Sequence, residues 1–279
     1  MSKIFVLGAS GMAGEMITNY LSKHTEHKIF PICRTPFYCN NIVFDAMKPE
    51  DMNLLEYWIE VEKPDVLINC IGILVQESQM NPVKAFTINT NLPRKLAEIC
   101  TEGNVKLIHI STDCIFDGKK GPYSEIDTPT ETNMYGTSKA YGEITTPPHL
   151  TLRTSIIGPD SDPDGTGLFN WVIKQTDTIR GYSGVQWSGI TTLELAKQIE
   201  KILKHKFDLS GLYHLTTDYP ISKFNLLYCI KFMYEFKMTI TEDTAMVSNK
   251  CLINNRKAEY NPNIPPIPQQ IKELYDYHL

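Results

Sequence analysis

Two residues with complementary chemistry, Tyr135 and Lys139, lie four positions apart in the segment Tyr-Gly-Thr-Ser-Lys. Positions i and i+4 share one face of an α-helix, so the phenol and the ammonium are expected side by side. A free tyrosine has a pKa of about 10, and a neighbouring cation lowers that pKa by favouring the phenolate. Such a pair suits proton transfer to an alkoxide, the species that forms when a hydride adds to a ketone.

A third polar side chain, Thr112, follows the apolar run at 106–110, which predicts a buried strand. Its hydroxyl can hydrogen-bond a carbonyl oxygen and hold it near the phenol. A Tyr-x-x-x-Lys pair alone occurs by chance in many helices, where it is an ordinary exposed pair. Together with Ser111-Thr112-Asp113 after a strand, it predicts a catalytic centre formed by Thr112, Tyr135 and Lys139.

Glycines at positions 8, 11 and 14 follow the apolar run at 4–7 and open an amphipathic helical pattern. The first glycine permits a tight turn, the second lets a pyrophosphate approach the backbone, and the third lets helix and strand pack closely. Free N–H groups at the helix N-terminus attract phosphate, although a glycine pattern alone is a weak sign. The predicted cofactor contacts in this turn are Gly8, Ser10, Gly11, Met12 and Gly14.

The end of the second predicted strand, at Cys33-Arg34-Thr35, carries no acidic residue. An Asp or Glu there would hydrogen-bond the ribose 2′-OH of NAD, whereas an arginine accommodates the 2′-phosphate of NADP. Arg34, assisted by Ser10, therefore favours NADPH over NADH, with a solvated surface charge as the alternative interpretation. Asp45, after the third predicted strand, is placed to meet the adenine edge of the cofactor or to be an ordinary loop acid.

Apolar strands alternate with helical patterns through the first 153 residues, with strands predicted at 4–7, 27–33, 41–44, 66–71, 106–110 and 150–153. Strands that are apolar throughout indicate a parallel sheet covered on both faces. The predicted fold class is α/β, a doubly wound parallel sheet (Rossmann) with a smaller C-terminal α+β substrate-binding region. We predict a dinucleotide-binding domain at 1–153, a segment returning to it at about 184–205, and a substrate-binding region at 154–279.

The composition, 279 residues with 42% hydrophobic and 21% charged, predicts an ordinary globular protein. A net charge of -5 gives no attraction to nucleic acid or to an anionic membrane, so neither is an expected partner. No run approaches the roughly 20 apolar residues of a membrane-spanning helix, and no signal peptide is predicted. The cysteines form no zinc-type cluster with histidine, which predicts no metal site and reduced thiols in a cytoplasmic protein.

In these motifs the chain resembles the extended short-chain dehydrogenases, and most closely their dTDP-4-dehydrorhamnose reductase branch. The resemblance covers nearly the whole chain and weakens after about residue 220. The matching stretches are 4–14, 67–72, 111–118, 122–127, 133–139, 152–159 and 211–215.

The resemblance implies NADPH-dependent reduction of the C4 keto group of a nucleotide-linked 4-keto-6-deoxyhexose, a step in deoxysugar and polysaccharide biosynthesis. It gives the catalytic roles to Thr112, Tyr135 and Lys139, the last two also touching the cofactor. It adds Asn69 and Gly72 to the cofactor contacts. It also matches Asn89 to a helix asparagine near the active site, for which a capping or packing role is the alternative.

Cys114 and the intact pair leave two alternative functions open. The 4,6-dehydratases of this family carry Thr-Asp-Glu where this chain has Thr-Asp-Cys, so dehydration is disfavoured. GDP-fucose synthases place a cysteine at the position of Cys114 and epimerise with it and a histidine, but 158–175 contains no histidine. A bifunctional epimerase–reductase is therefore one alternative, and Cys114 as a buried filler is the simpler interpretation. A non-catalytic NADP-binding regulatory subunit is the other, although such proteins commonly lose the Tyr or Lys.

Four side chains of the C-terminal half are predicted to contact the nucleotide-sugar substrate: Asn170, Trp187, Arg180 and Arg256. Aromatic rings can stack on a base or a sugar, and a guanidinium can bind a diphosphate through two hydrogen bonds. Core packing for the tryptophan and solvated surface positions for the arginines are the alternative interpretations. His109 is predicted to be a buried structural histidine, and a homodimer is compatible with the sequence.

Overall fold

The structure, a computed structural model, describes residues 1–38, 41–162, 165 and 167–278. Its main sheet has seven parallel strands. From one edge to the other they are β11 (Gly211–His214), β6 (Leu150–Thr154), β5 (Lys106–Thr112), β4 (Val66–Asn69), β1 (Lys3–Leu7), β2 (Lys28–Cys33) and β3 (Ile42–Val43).

The order of the strands confirms the predicted fold class, because 3-2-1-4-5-6 is the order of the doubly wound dinucleotide-binding sheet. β1 pairs with β2 on one side and with β4 on the other, so the chain reverses its direction of winding at β1. Ligands of such sheets bind outside the carboxyl ends of the strands at this switch point.

Helices cover both faces of the main sheet. They are α1 (Met12–His24), α2 (Pro49–Glu62), α3 (Val75–Met80), α4 (Pro82–Phe86), α5 (Leu92–Glu102), α6 (Met134–Tyr141) and α8 (Thr192–His205), with a π-helical turn (Thr87–Asn91) between α4 and α5. Successive residues of β1 point to opposite faces: Ile4 and Val6 pack in the core with α1 and α8, and Phe5 and Leu7 in the core with α2 and α5. Burial on both faces explains why the strand is apolar throughout.

The remaining elements form a smaller α+β region. Its strands are β7 (Ile156–Ile157), β8 (Thr178–Tyr182), β9 (Val185–Trp187), β10 (Ile190–Thr191), β12 (Ile221–Ser222), β13 (Thr239–Asp243) and β14 (Ser248–Asn249), and its helices are α7 (Leu168–Ile173), α9 (Lys223–Met233) and α10 (Ile267–His278). β8 pairs with β13, and β9 lies between β12 and β14. A separate core that includes Ile179, Leu226 and Ile271 holds these elements together.

The seventh strand of the main sheet differs from the prediction. Of the segment at 184–205, expected to return to the dinucleotide-binding domain, helix α8 packs beside α1 in the core of the main sheet, where Tyr20 donates to Glu200 at 2.9 Å. Its strand β9 belongs to the small three-stranded sheet. The strand that joins the main sheet is β11, which pairs with β6. Its four residues contain only the apolar pair Leu212 and Tyr213, a run too short to predict a strand.

A buried ion pair links the segment that follows α6 to the main sheet. Arg153 on β6 donates from both Nε and Nη2 to the Glu143 carboxylate, each at 2.7 Å, and the two side chains are 5% and 7% exposed. Ser111 on β5 donates to the same carboxylate at 2.7 Å. A carboxylate buried to this extent needs these partners, because burying an unpaired charge is costly. No helix in the described ranges is long and apolar enough to cross a membrane.

Arg153→Met should destabilise the protein by about 3–5 kcal/mol, because it leaves the Glu143 carboxylate buried without its cation. Urea unfolding followed by circular dichroism measures the loss. The control is Lys257→Met, which removes one partner of the ion pair with Asp218, whose side chains are 43% and 56% exposed. That variant should lose less than about 1 kcal/mol. Equal small losses in both variants would contradict a structural role for the buried pair.

Candidate active site

The turn after β1 is built from glycines for steric reasons. Gly8 has a φ of +77°, a backbone conformation that L side chains rarely adopt, and its N–H donates to the Ile32 carbonyl at 2.9 Å. A Cβ on Gly14 would lie 2.1 Å from the Gly8 carbonyl oxygen, so α1 can begin this close to β1 only with glycine at that position. Gly11 caps α1 without a side-chain hydrogen bond, which leaves the first N–H groups of the helix for another acceptor.

A cavity of about 280 Å³ opens beside this turn, at the switch point of the sheet. Six residues predicted to bind the cofactor line it: Gly8, Ser10, Gly11, Arg34, Asp45 and Gly72. Of the others, Met12 and Gly14 lie in the first turn of α1. The exposed guanidinium of Arg34 lies at the wall of the cavity, where a 2′-phosphate would have to enter. A glycine cradle next to free helix N–H groups fits a dinucleotide pyrophosphate.

Asn69, the last residue of β4, makes hydrogen bonds next to this cavity. Its Oδ1 accepts from the Ile71 N–H at 3.0 Å, and its Nδ2 lies 3.1 Å from Nδ1 of His109 on the neighbouring strand. Both side chains are buried, and burial holds the pKa of His109 well below its usual range. A neutral His109 within the sheet agrees with the expectation of a structural histidine, although its Nε2 has no partner among the described residues.

Asp45 is held in the turn before α2. Its N–H donates to Asp51 at 2.7 Å, and its own Oδ1 accepts from the Met47 N–H at 3.0 Å. The carboxylate thus stabilises the turn and also lines the cavity, so the two interpretations drawn from the sequence are compatible.

The three predicted catalytic side chains meet at the carboxyl end of β5. Thr112 is the last residue of that strand, and Tyr135 and Lys139 lie on α6, whose N-cap Asn133 accepts from the Gly136 N–H at 2.9 Å. All three are buried, with Tyr135 9% and Lys139 5% exposed. A Cβ on Gly72 would lie 3.8 Å from Lys139 Nζ, so this group of side chains adjoins the cavity of the predicted cofactor site.

The pKa of Tyr135 shifts in the direction opposite to the prediction. Burial raises it, the charges of Cys114 and Asp113 raise it further, and the side chain of Thr112 partly opposes them. Lys139 is not among the groups that shift this pKa, and its Nζ donates to the Ile110 carbonyl at 2.8 Å. Burial also lowers the pKa of Lys139 to about 8, although the charge of Glu143 opposes that shift. The phenol therefore keeps its proton at neutral pH.

The π-helical turn places Asn89 between the cavity wall and α6. Its Oδ1 accepts from the Ile73 N–H at 3.0 Å, and its Nδ2 donates to the Ile73 carbonyl and to Ser138 Oγ at 3.2 and 3.1 Å. Thr90 in the same turn donates to the Ser138 carbonyl at 2.6 Å. Single π-helical turns are frequent at functional sites. Here the turn fixes the helix that carries Tyr135 and Lys139 to the loop after β4.

Cys114 lies beside Thr112, in the short 3₁₀ turn that follows β5, and its N–H donates to Thr112 Oγ1 at 3.1 Å. Burial and the Asp113 carboxylate raise the pKa of its thiol to about 12. In the segments described, the groups that act on this thiol are Thr112, Asp113 and Lys250, and no histidine is among them.

Two lysines from the C-terminal region, which sequence reasoning missed, reach this end of the site. Lys250 donates to Glu131 at 3.0 Å, and Lys223 lies 4.8 Å above the ring of Trp187. The charges of both act on Asp113. No spacing in the sequence could have indicated them, because more than 100 positions separate each lysine from Asp113.

Of the four predicted substrate contacts, Trp187 and Asn170 make side-chain hydrogen bonds in different surroundings. Trp187 is buried, and its indole N–H donates to Ser155 Oγ at 2.8 Å; Ser155 in turn hydrogen-bonds Asp113. Asn170 instead braces a loop, accepting from the Asp160 N–H at 3.0 Å and donating to its carbonyl at 2.8 Å.

The other two predicted substrate contacts are Arg180 and Arg256, and both form ion pairs. The side chain of Arg180 is 80% exposed and lies 3.8 Å from Asp243. Arg256 pairs with Glu259, donates to the Leu212 carbonyl at 2.9 Å and packs on the ring of Tyr213. Within the ranges described, neither arginine makes an ion pair or a hydrogen bond with a residue of the group around Tyr135. Ion pairing explains both arginines: Arg180 pairs across two strands, and Arg256 pairs with a residue three positions along the chain. The described residues also contain no cluster that could hold a metal ion.

Lys139 should titrate near pH 8 in NMR spectra of protein carrying ¹³C-labelled lysine, because burial disfavours its charged form. Lys139→Met should remove one resonance with a midpoint near pH 8. Lys106, whose pKa burial also lowers to about 8, provides the matched control, since Lys106→Met should remove a different resonance. If every lysine titrates above pH 10, the ammonium of Lys139 is not buried as described.

Known proteins are similar in sequence to most of this chain. Residues 2–250 match the family described as RmlD substrate binding domain. A dTDP-4-dehydrorhamnose reductase of Aggregatibacter actinomycetemcomitans is 25% identical over 264 residues, which cover 91% of this chain and 82% of that protein. Methionine adenosyltransferase 2 subunit beta of Pongo abelii is 29% identical over 147 residues, covering 50% of this chain and 41% of that one.

The fold is shared with solved structures. The crystal structure of dTDP-4-dehydrorhamnose reductase from Bacillus anthracis, in complex with NADP, aligns over 100% of both chains with a TM-score of 0.84 and 19% sequence identity. The family match extends over most of the chain, including the glycine turn, Thr112, Tyr135, Lys139 and both C-terminal lysines. The chain therefore belongs to the RmlD substrate binding domain family, as its resemblance to the dTDP-4-dehydrorhamnose reductase branch implied.

Proposed function

We propose that this protein reduces the C4 keto group of a nucleotide-linked 4-keto-6-deoxyhexose with NADPH, as a cytoplasmic step of deoxysugar and polysaccharide biosynthesis. The observation that carries the proposal is the group of Thr112, Tyr135 and Lys139 beside the cavity at the switch point. The family supports it, because the Aggregatibacter relative is named a dTDP-4-dehydrorhamnose reductase and the Bacillus anthracis structure contains NADP.

Thr112, Tyr135 and Lys139 each have a separate role in the proposed reduction. Bound NADPH supplies the hydride that adds to the carbonyl carbon. Thr112 donates a hydrogen bond to the carbonyl oxygen, and Tyr135 gives that oxygen its phenolic proton as the alkoxide forms. The raised pKa of Tyr135 keeps this proton on the phenol until the stronger base appears. Lys139 then stabilises the phenolate, which regains a proton from solvent.

The preference for NADPH rests on Arg34 and on the absence of an acid at the end of β2. A carboxylate there would accept from a ribose 2′-OH and repel a 2′-phosphate, whereas the guanidinium of Arg34 attracts the phosphate. Ser10 lines the same cavity and assists Arg34. NADH remains usable but weaker, because it lacks the group that Arg34 binds.

Epimerisation through Cys114 is less well supported than reduction. A thiol whose pKa is raised to about 12 is rarely a thiolate at neutral pH, so it is a poor base for the carbon beside a keto group. The segment 158–175, where the partner histidine of such an epimerase is expected, contains no histidine. No specific observation favours this second activity.

A regulatory role is the other alternative. Half of the chain matches methionine adenosyltransferase 2 subunit beta of Pongo abelii, which is named as a subunit. The buried positions of both Tyr135 and Lys139 next to Thr112 favour catalysis here. Cofactor binding without turnover of any nucleotide-linked keto sugar would instead support the regulatory role.

Tyr135→Phe should reduce turnover of a nucleotide-4-keto-6-deoxyhexose at least about a hundredfold, because it removes the proton donor. The affinity for NADPH should change little. Loss of NADPH absorbance measures turnover, and fluorescence of bound NADPH measures affinity. The matched control is Tyr141→Phe on the same helix, where the side chain is exposed. Unchanged turnover in Tyr135→Phe would refute the assignment of this residue.

Arg34→Ala should raise the KM for NADPH by about ten- to a hundredfold, because a charge-assisted hydrogen bond to the 2′-phosphate is lost. The KM for NADH should stay nearly constant, since NADH lacks that phosphate. Steady-state kinetics with both cofactors and one keto sugar make the comparison. An equal increase in both KM values would mean that Arg34 supports the fold of the cavity and does not read the phosphate.

A further inference from the structure

Burial acts on the pKa of four lysines in the described chain, and three of their ammonium groups have hydrogen-bond partners. Lys106 donates to the Pro148 and Leu209 carbonyls, Lys139 to the Ile110 carbonyl, and Lys250 to Glu131. Lys223 differs, because within the described chain its ammonium makes no hydrogen bond and no ion pair. Its one recorded close contact is the face of Trp187, 4.8 Å away. A half-buried ammonium that no carboxylate or carbonyl of the described chain occupies is available to an anionic ligand.

The surroundings of Lys223 belong to the substrate side of the site. The charges that act on its ammonium come from Asp113, Cys114 and Cys251. Asp113 and Cys114 directly follow Thr112, and their charges also act on Tyr135. Contacts give the same placement: the ring of Trp187 lies 4.8 Å from the ammonium and its indole donates to Ser155, which hydrogen-bonds Asp113. The ammonium therefore lies next to the residue that follows Thr112, on the side of the site where the sugar has to lie for Tyr135 to reach its carbonyl oxygen.

Nearby acids are already engaged. Asp113 hydrogen-bonds Ser155, which also accepts from the Trp187 indole, and Glu131 is paired with Lys250. Lys223 is also the first residue of α9, whose N-terminus repels a cation and attracts an anion. An anionic oxygen group next to Lys223 would therefore be stabilised both by the ammonium and by the end of the helix.

We infer that Lys223 is a substrate-recognition residue whose ammonium binds an anionic oxygen group of the substrate, close to the carbonyl that is reduced. This inference rests on the proposed function, because it assumes a nucleotide-linked sugar between Tyr135 and the C-terminal region. Two parts of such a substrate carry the required chemistry: the diphosphate, and an acidic substituent on the sugar ring. The ring of Trp187 lies 4.8 Å from the ammonium, and the hydrogen bond to Ser155 fixes the indole.

The test measures nucleotide binding to the NADP-loaded full-length protein by calorimetry. The probes are a nucleoside diphosphate, its glucose ester and its glucuronate ester, each with uridine, thymidine and guanosine as the base. The variants are Lys223→Met, Lys223→Arg and the control Lys231→Met, which lies near the other end of α9. Unchanged thermal unfolding and NADP affinity establish that each variant is folded, and Lys223→Gln replaces the methionine variant if it is not.

For the base that the wild type binds, Lys223→Met should weaken binding about ten- to a hundredfold, Lys223→Arg much less, and Lys231→Met not at all. Equal weakening of all three probes would identify the diphosphate as the group bound. Loss of a preference for the glucuronate ester would identify an acidic sugar.

Unchanged affinities in Lys223→Met, or equal weakening in Lys231→Met, would overturn the inference and leave the proposed reduction standing. If the wild type binds none of the nine probes, the nucleotide-sugar assignment itself fails, and the role inferred for Lys223 fails with it.

Discussion

The site depends on the divergence of the chain at β1. Because β2 pairs on one side of this strand and β4 on the other, the loops that follow β1 and β4 separate and leave a cleft between them. The cleft is usable only if α1 begins directly against the strand. Contact between Gly14 and the Gly8 carbonyl provides that closeness, which no side chain at position 14 would permit. The free N–H groups of α1 therefore face the same cleft as Arg34 and Gly72.

A second set of contacts couples the sheet to the catalytic helix. Glu143 follows α6, and Ser111 and Arg153 bring its carboxylate against β5 and β6. Asn89 holds the same helix from the opposite side, through Ser138. The helix carrying Tyr135 and Lys139 is thus fixed by polar contacts on two sides, in an interior where an unsatisfied polar group is expensive. Such fixation keeps the phenol and the ammonium in register with the end of β5.

The sequence predicted the order and type of the first six strands, the glycine turn and the fold class, because these leave local patterns of apolar runs and glycines. It missed β11, whose four residues contain only the apolar pair Leu212 and Tyr213. It also gave the wrong direction for the pKa of Tyr135, because burial raises that pKa and burial depends on tertiary packing. Lys223 was beyond reach for a related reason, since its contacts join segments that are distant along the chain.

The π-helical turn at Thr87–Asn91 holds one residue more than an α-helical turn would. Removing a residue there would restore a regular helix but rotate α4 against α5 by about 100°. Leu92 and Leu96 hold α5 in the core, so the rotation would fall on α4 and carry Lys84 away from the cavity wall. The geometry of the site therefore depends on the number of residues between α4 and α5 as well as on the identity of Asn89. An insertion or a deletion in this stretch would disturb the site even where every contact residue is kept.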